Sequence, residues 1–210
     1  MNLPILNDKE LKLIINRMNL PANYATAVRS KIPEMLGPIV DKYTSSLEEY
    51  VSRGIGFVFS GKPGIGKTSA AAYLAKYARM TMGPENKFYT SYFIRAYDYK
   101  EKVRTKELYD EDILIAEWCR KVDFLVLDNL MAEDANTAWP GPRIYTELVG
   151  PRCAEGKATI ITTNLTKHEF KKTFPELCSS IAGYLLFVDI IGADQRAENA
   201  KKLADEFFNK

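Results

Sequence analysis

Histidine is nearly absent from this chain: among 210 residues His168 stands alone. Cysteine is scarce as well. Cys119, Cys153 and Cys178 are odd in number and share no metal-ligand spacing. That pattern argues against a His/Cys metal centre and against a disulfide framework. Free thiols in a reducing compartment are expected instead. Long apolar runs are missing: no stretch approaches about 18 apolar residues, so no membrane span and no membrane partner are predicted. The segment Met1 to Asp8 lacks the charged start and sustained apolar run of a secretory leader, which points to a cytoplasmic setting. Charge of one sign is lacking too. Twenty-nine Lys and Arg against 27 Asp and Glu leave a net charge of +2. That total neither demands nor excludes nucleic acid, whose binding needs a local basic face. No internal repeat or low-complexity segment stands out. What remains, 46% apolar and 27% charged residues, suits one α/β domain with an ample core.

The most informative stretch is Gly61-Lys62-Pro63-Gly64-Ile65-Gly66-Lys67-Thr68. It fits G-x-x-x-x-G-K-[ST], the phosphate-binding loop of P-loop NTPases. Gly54 to Ser60 before it reads as a buried strand, and Ser69 to Met80 after it as a helix, the context this motif requires. Gly61, Gly64 and Gly66 let the backbone approach a triphosphate where a Cβ would clash. Backbone N–H groups from Gly61 through Ser69, together with the helix N-terminus, would then face the phosphates of ATP. Lys67 would reach the β- and γ-phosphates, and the Thr68 hydroxyl would take one position on Mg²⁺.

Upstream, Leu11, Leu13, Ile14, Ile15 and Met18 give Asn7 to Asn19 the apolar stripe of a short helix, stopped by Pro21. The stripe fits either a face packed on its own domain or a docking helix for a partner. A second helical stretch runs from near Pro33 to Ser52. Tyr24 is placed to reach an adenine or to sit in the core. Downstream, Lys87 to Phe93 reads as a strand and Ile94 to Arg120 as mainly helix. Tyr92, Phe93, Tyr97 and Tyr99 interleave there with Arg95, Lys100, Lys102, Arg104 and Lys106. Such interleaving suits single-stranded nucleic acid, and it equally suits a solvated charged helix.

Val122 to Asn129 is an apolar strand ending in Asp128, the second NTPase signature. Asp128 would hold the metal shell opposite Thr68. The acidic residue that usually follows, and polarises the attacking water, is Asn129 here. An amide can orient a water but cannot take its proton. Glu133 or Asp134 could substitute from the following loop, read as a lid from Glu133 to Arg143. Ile144 to Glu155 reads as helix with a break at Gly150-Pro151. Lys157 to Asn164 is another buried strand, whose Asn164 can bond a γ-phosphate or its attacking water. His168 opens a polar helix and suits a surface role. Pro175 to Tyr184 reads as a short helix and Leu185 to Ile191 as the last strand. Gly192 to Arg196 opens a polar helix, from which Arg196 could turn back toward phosphate or stay solvated.

Taken together, Leu20-Pro21-Ala22-Asn23-Tyr24, Gly61 to Thr68, Val122 to Asn129, Arg152 to Leu165 and Gly192 to Arg196 resemble the AAA+ helicase loaders of the DnaC/DnaI type and the related transposition helper ATPase IstB. The resemblance implies an α/β P-loop NTPase of AAA+ type, with a five-stranded parallel sheet flanked by helices. The Asn164 strand would lie between the phosphate-loop strand and the Asp128 strand. Residues 21–210 would form the ATPase domain, with residues 1–20 as a possible partner-docking segment. Implied partners are a replicative helicase and single-stranded DNA, with self-assembly in the ATP state. In this family an arginine from one subunit completes its neighbour's site. Ser180 stands where that arginine would be, which leaves Arg152 and Arg143 as substitutes. Catalytic roles would fall to Lys67, Asp128, Asn129 and Asn164. Lys62, Pro63 and Ile65 complete the loop that holds ATP, with Thr68 and Asp128 on Mg²⁺. A transposition helper acting with duplex DNA, and an ATP-gated binding module that does not hydrolyse, are the other readings kept open.

Overall fold

The computed structural model describes residues 16–105, 110–135 and 141–208. Residues 7–15 of the helix expected over Asn7 to Asn19, and residues 136–140 of the expected lid, lie outside them. The main elements are α1 (Gly37–Ser45), α2 (Leu47–Ser52), β1 (Gly56–Ser60), α3 (Lys67–Met80), β2 (Ser91–Arg95), α4 (Ala96–Thr105) and α5 (Asp110–Lys121). After these come β3 (Phe124–Asp128), α6 (Arg143–Ala154), β4 (Ala158–Thr163), α7 (Lys167–Thr173), α8 (Pro175–Ser180), β5 (Leu185–Asp189) and α9 (Arg196–Phe208).

The strands form one parallel sheet in the order β2-β3-β4-β1-β5. The Asn164 strand therefore lies between the phosphate-loop strand and the Asp128 strand, as the resemblance implied. Parallel strands need crossover helices, which cover both faces of the sheet. That is why β1, β3 and β4 are buried at every position. On one face Phe57, Phe59, Phe93, Phe124 and Val126 pack under α1 and α3. Ala70, Ala71, Ala75 and Ala78 give α3 a thin face that lets Leu74 and the helix backbone come close to the sheet. On the other face Val58, Ile94, Leu125, Leu127 and Ile161 meet Tyr99, Tyr145, Leu148, Phe170 and Phe174.

Three local expectations are corrected. The second strand is Ser91–Arg95, not Lys87 to Phe93. The Asp123 carboxylate accepts both the backbone N–H (2.8 Å) and the hydroxyl (2.7 Å) of Thr90, and regular pairing starts only after that knot. Helix α6 runs unbroken through Gly150 and Pro151. Pro151 removes only the bond to the carbonyl of Glu147, an exposed residue, while packing against α8 holds the helix on course. The last strand stops at Asp189.

Arg152 is corrected as well. It cannot serve a neighbouring subunit, because it is 1% exposed. Its guanidinium donates to the Thr159 hydroxyl (3.0 Å) and to the carbonyls of Cys119, Arg120, Val122 and Ala158, between 2.7 and 3.2 Å. Burial pushes it down to about 10, still charged at neutral pH. It staples α5 and the starts of β3 and β4. Arg152→Met is expected to lower unfolding stability by about 3 kcal/mol, because it orphans several buried carbonyls. The check is a urea midpoint shift at constant slope. An unshifted midpoint with lost turnover would return Arg152 to the active-site role.

Candidate functional site

The carboxyl ends of β1, β3 and β4 converge where the chain turns from β1 into α3. This turn needs glycine. Gly61, Gly64 and Gly66 have φ of +139°, +79° and +90°, a region that L side chains rarely adopt. An added Cβ would also meet the Ile190 carbonyl oxygen at 2.3 Å from Gly61 and Pro33 at 2.4 Å from Gly66. Gly66 caps α3 without any side-chain oxygen, so the first-turn amides face outward for an anion.

Lys67 is 7% exposed. Its ammonium donates to the carbonyls of Gly61 (2.6 Å) and Lys62 (2.7 Å) and to Asn164 Oδ1 (2.9 Å). Burial lowers it to about 8; the charge of Arg196 pushes the same way, and Asp128 opposes. One strand over, Asp128 Oδ1 accepts the hydroxyls of Thr68 (2.8 Å) and Thr162 (2.7 Å). Burial holds the Asp128 carboxyl above the usual carboxylate range, while those hydroxyls, Arg95 and Lys67 pull it down. The sequence had not singled out Thr162. Its signal was its place two residues before Asn164 on the same strand.

Asn129 is exposed, with a left-handed φ of +60°. Its N–H donates to Thr162 Oγ1 at 2.8 Å, which fixes the turn. Asn164 Nδ2 contacts Met131 Sδ at 3.4 Å. Of the two expected substitute acids, Asp134 is committed elsewhere. Asp134 is buried in an ion pair with Lys100 (3.2 Å) and accepts from Met131 N (2.9 Å). Glu133 is exposed on the same turn. Arg143 is exposed and pairs with Glu147 at 3.0 Å, and the Ser180 hydroxyl is turned back on the Glu176 carbonyl.

From the other side, the segment after β5 folds over the loop. Gln195 N donates to the Gly64 carbonyl at 3.1 Å. The Asp194 carboxylate lies against Gly64 and accepts from Arg196 N at 2.9 Å. Arg196 is thereby held near enough to Lys67 for its charge to be felt there. Lys67, Thr68, Asp128, Asn164 and Arg196 are thus brought to one edge.

Other expected site features are not. Tyr24 is half-buried and packs against Phe93, with ring centroids 6.3 Å apart. The basic-aromatic stretch is split: Phe93 and Tyr99 are 1% exposed and Lys100 is committed to Asp134, while Arg95, Tyr97 and Arg104 are exposed. Tyr97 is the aromatic of that stretch left well exposed.

The donor set fits a magnesium nucleotide. The glycine cradle is open where a Cβ would close it, a lysine stands at its mouth, and a hydroxyl and a carboxylate share one position 2.8 Å apart. Imidazole and thiolate are absent from it, and oxygen ligands suit Mg²⁺.

No family model matches the chain, and no curated protein matches it. Solved structures do. A DnaC helicase loader is 21% identical over 81% of this chain and 100% of that one, with a TM-score of 0.64. DnaI is 16% identical over 84% and 94%, with a TM-score of 0.62. The replication initiator DnaA bound to AMPPCP and single-stranded DNA is 16% identical over 84% of this chain and 52% of that one, with a TM-score of 0.59. The chain has the AAA+ P-loop fold of these proteins.

Two outcomes follow from the geometry. ATP affinity is expected to fall as pH rises through about 8, by up to about tenfold per pH unit, because Lys67 loses its proton there. A flat titration between pH 7 and 9 would contradict this. Gly64→Ala is expected to weaken ATP binding by tenfold or more, since a Cβ there meets the Asp194 carboxylate and a positive φ. Isothermal titration of the folded variant checks it.

Proposed function

We propose that this chain is an ATP-binding AAA+ ATPase that works as a helicase loader in DNA replication, with a replicative helicase and single-stranded DNA as partners. The observation that carries the nucleotide part is the junction of Thr68, Asp128 and Thr162 beside Lys67 and Asn164. The fold it shares with DnaC and DnaI supports the loader part. DnaA bound to single-stranded DNA supports the choice of that DNA form.

In this reading the backbone N–H groups of the loop, other than Pro63, and of the first turn of α3 bind the phosphates, and Lys67 neutralises them. Asn164, already bonded to Lys67, moves with it and so reports whether a γ-phosphate is present. Magnesium, held by Thr68 with Asp128 behind it, would draw charge from the phosphate oxygens. Arg196 links nucleotide state to α9 through the Asp194 contact with Gly64. Asn129 can orient a water without taking its proton, so turnover by the chain alone is slow. A neighbouring subunit or partner supplies what Ser180 does not, which ties hydrolysis to assembly in the ATP state. The committed ion pair of Asp134 favours a second reading, an ATP-gated module that switches on binding alone.

The deciding measurement is steady-state ATPase activity with and without single-stranded DNA and a replicative helicase. Stimulation by both supports the loader. Stimulation by duplex DNA with a transposase would favour the transposition helper. Tight ATP binding with no turnover under any condition would favour the binding module. Asn129→Glu is expected to speed hydrolysis by tenfold or more while costing about 1 kcal/mol of stability for a left-handed non-Asn residue. Unchanged turnover in a folded Asn129→Glu protein would move the block elsewhere, to Ser180.

A further inference from the structure

Arg95 is a cation at the working edge with no role assigned to it above. Arg95 is the last residue of β2 and is exposed. Its register partner on the neighbouring parallel strand is Asp128. Paired residues of parallel strands point to the same face, so its direction can be read from the strand itself. Two residues back, Phe93 lies in the core beneath α3. Two further back, the Ser91 hydroxyl donates to the Ala75 carbonyl of α3 at 2.9 Å. The Arg95 side chain therefore rises on the α3 face, where Thr68 meets Asp128.

The lateral separation is one strand spacing, about 4.8 Å, which an arginine side chain spans easily. Asp128 already registers the charge of Arg95. Among the described residues the Arg95 guanidinium makes no hydrogen bond or ion pair. Lys67 is engaged by three oxygens, Lys100 by Asp134 and Arg143 by Glu147, whereas the Arg196 guanidinium, like that of Arg95, is exposed. Arg95 borders an open recess of about 510 Å³ shared with Asn16, Asn19 and Asp98. Asp98 is the acid closest in sequence, and it is not within ion-pair distance.

We propose that Arg95 reaches the terminal phosphate of the bound triphosphate from within the same subunit. This rests on the ATP reading above. Lys67 and Arg196 approach the phosphates from the loop side, and Arg95 approaches from the far side of Asp128. A guanidinium presents two parallel N–H donors to two phosphoryl oxygens, which an ammonium cannot do. In hydrolysis water adds to the terminal phosphorus as its bond to the bridging oxygen breaks, giving ADP, inorganic phosphate and a proton. Charge gathers on the peripheral and leaving oxygens during that step, where an arginine is most useful. Arg95 would thus supply part of what the Ser180 position does not.

The test compares the wild type, Arg95→Gln, Arg95→Lys and Lys67→Ala, with thermal midpoints to show that each is folded. Affinity is measured for Mg-ADP, for a non-hydrolysable Mg-ATP analogue and for single-stranded oligonucleotide, together with kcat. Arg95→Gln is expected to weaken the analogue about tenfold or more and leave ADP within about twofold. It should also cut kcat by at least that factor, with Arg95→Lys intermediate. Equal effects on ADP and analogue, or none, in a wild type that binds both would overturn the Arg95 assignment and leave the ATP site standing. A loss confined to oligonucleotide would assign the guanidinium to a DNA phosphate and overturn the proposal. A wild type that binds neither nucleotide would overturn the ATP reading itself, and Arg95 with it.

Discussion

One carboxylate oxygen joins the segments on which this molecule depends. Asp128 Oδ1 accepts a hydroxyl from Thr68, at the head of the helix after the phosphate loop, and another from Thr162, on the adjacent strand. A buried carboxylate without donors is costly and tends to take up a proton. The two hydroxyls offset part of that cost, and in doing so they fix three chain segments against each other. The arrangement demands a strand order with β4 between β1 and β3, and it demands the observed register. Leu127 pairs with Ile161, so the next residues along, Asp128 and Thr162, meet at the sheet's edge. The Asn129 N–H and the Thr163 hydroxyl then lace the exits of the two strands together through Thr162 and Leu130.

Parts of this were legible in the sequence because they answer to local rules. The phosphate loop is a steric demand on three glycines, and a steric demand leaves a fixed spacing. Asp128 was legible because an apolar run ending in an acid marks the carboxyl end of a buried strand. Arg152 was misread for the opposite reason. Its partners are carbonyls at 119, 120, 122 and 158, and no local pattern announces that a charged residue will be sealed among backbone groups. Tyr99 and Lys100 look like a nucleic-acid surface when read along the chain. In space they point into the core, one against Tyr145 and the other onto Asp134. Thr162 was given no role, and Arg95 was read only as part of a basic helix, because each matters through the strand beside it, and strand order is not a local property.

Binding and turnover place different demands on this edge. Lys67 and Thr68 at the head of α3 and Asp128 at the end of β3 stand together with Asn164 just past β4. The position that would hold a catalytic acid instead holds an amide, on a turn whose backbone is set by its own bond to Thr162. Asparagine tolerates the left-handed conformation found there better than most residues. The turn and the missing base are thus linked: an acid at 129 would have to accept a backbone that favours the amide.

Burial by itself does not mark a working cation in this protein; the partner's charge and the ligand's access do. Lys100 is balanced by a full negative charge on Asp134, so its site is complete without a ligand. Arg152 has neutral partners only, but all its nitrogens are engaged where β3 and β4 begin, away from the loop. Lys67 also bonds neutral acceptors only, and it does so where β1, β3 and β4 end, next to helix amides that no side chain caps. Its ammonium is desolvated without a counter-charge in contact, which is why it is held well below an ordinary lysine. The triphosphate proposed above would supply that counter-charge and the oxygens that the amides face. The preference set by this cation is therefore for an anion over a neutral ligand of the same shape.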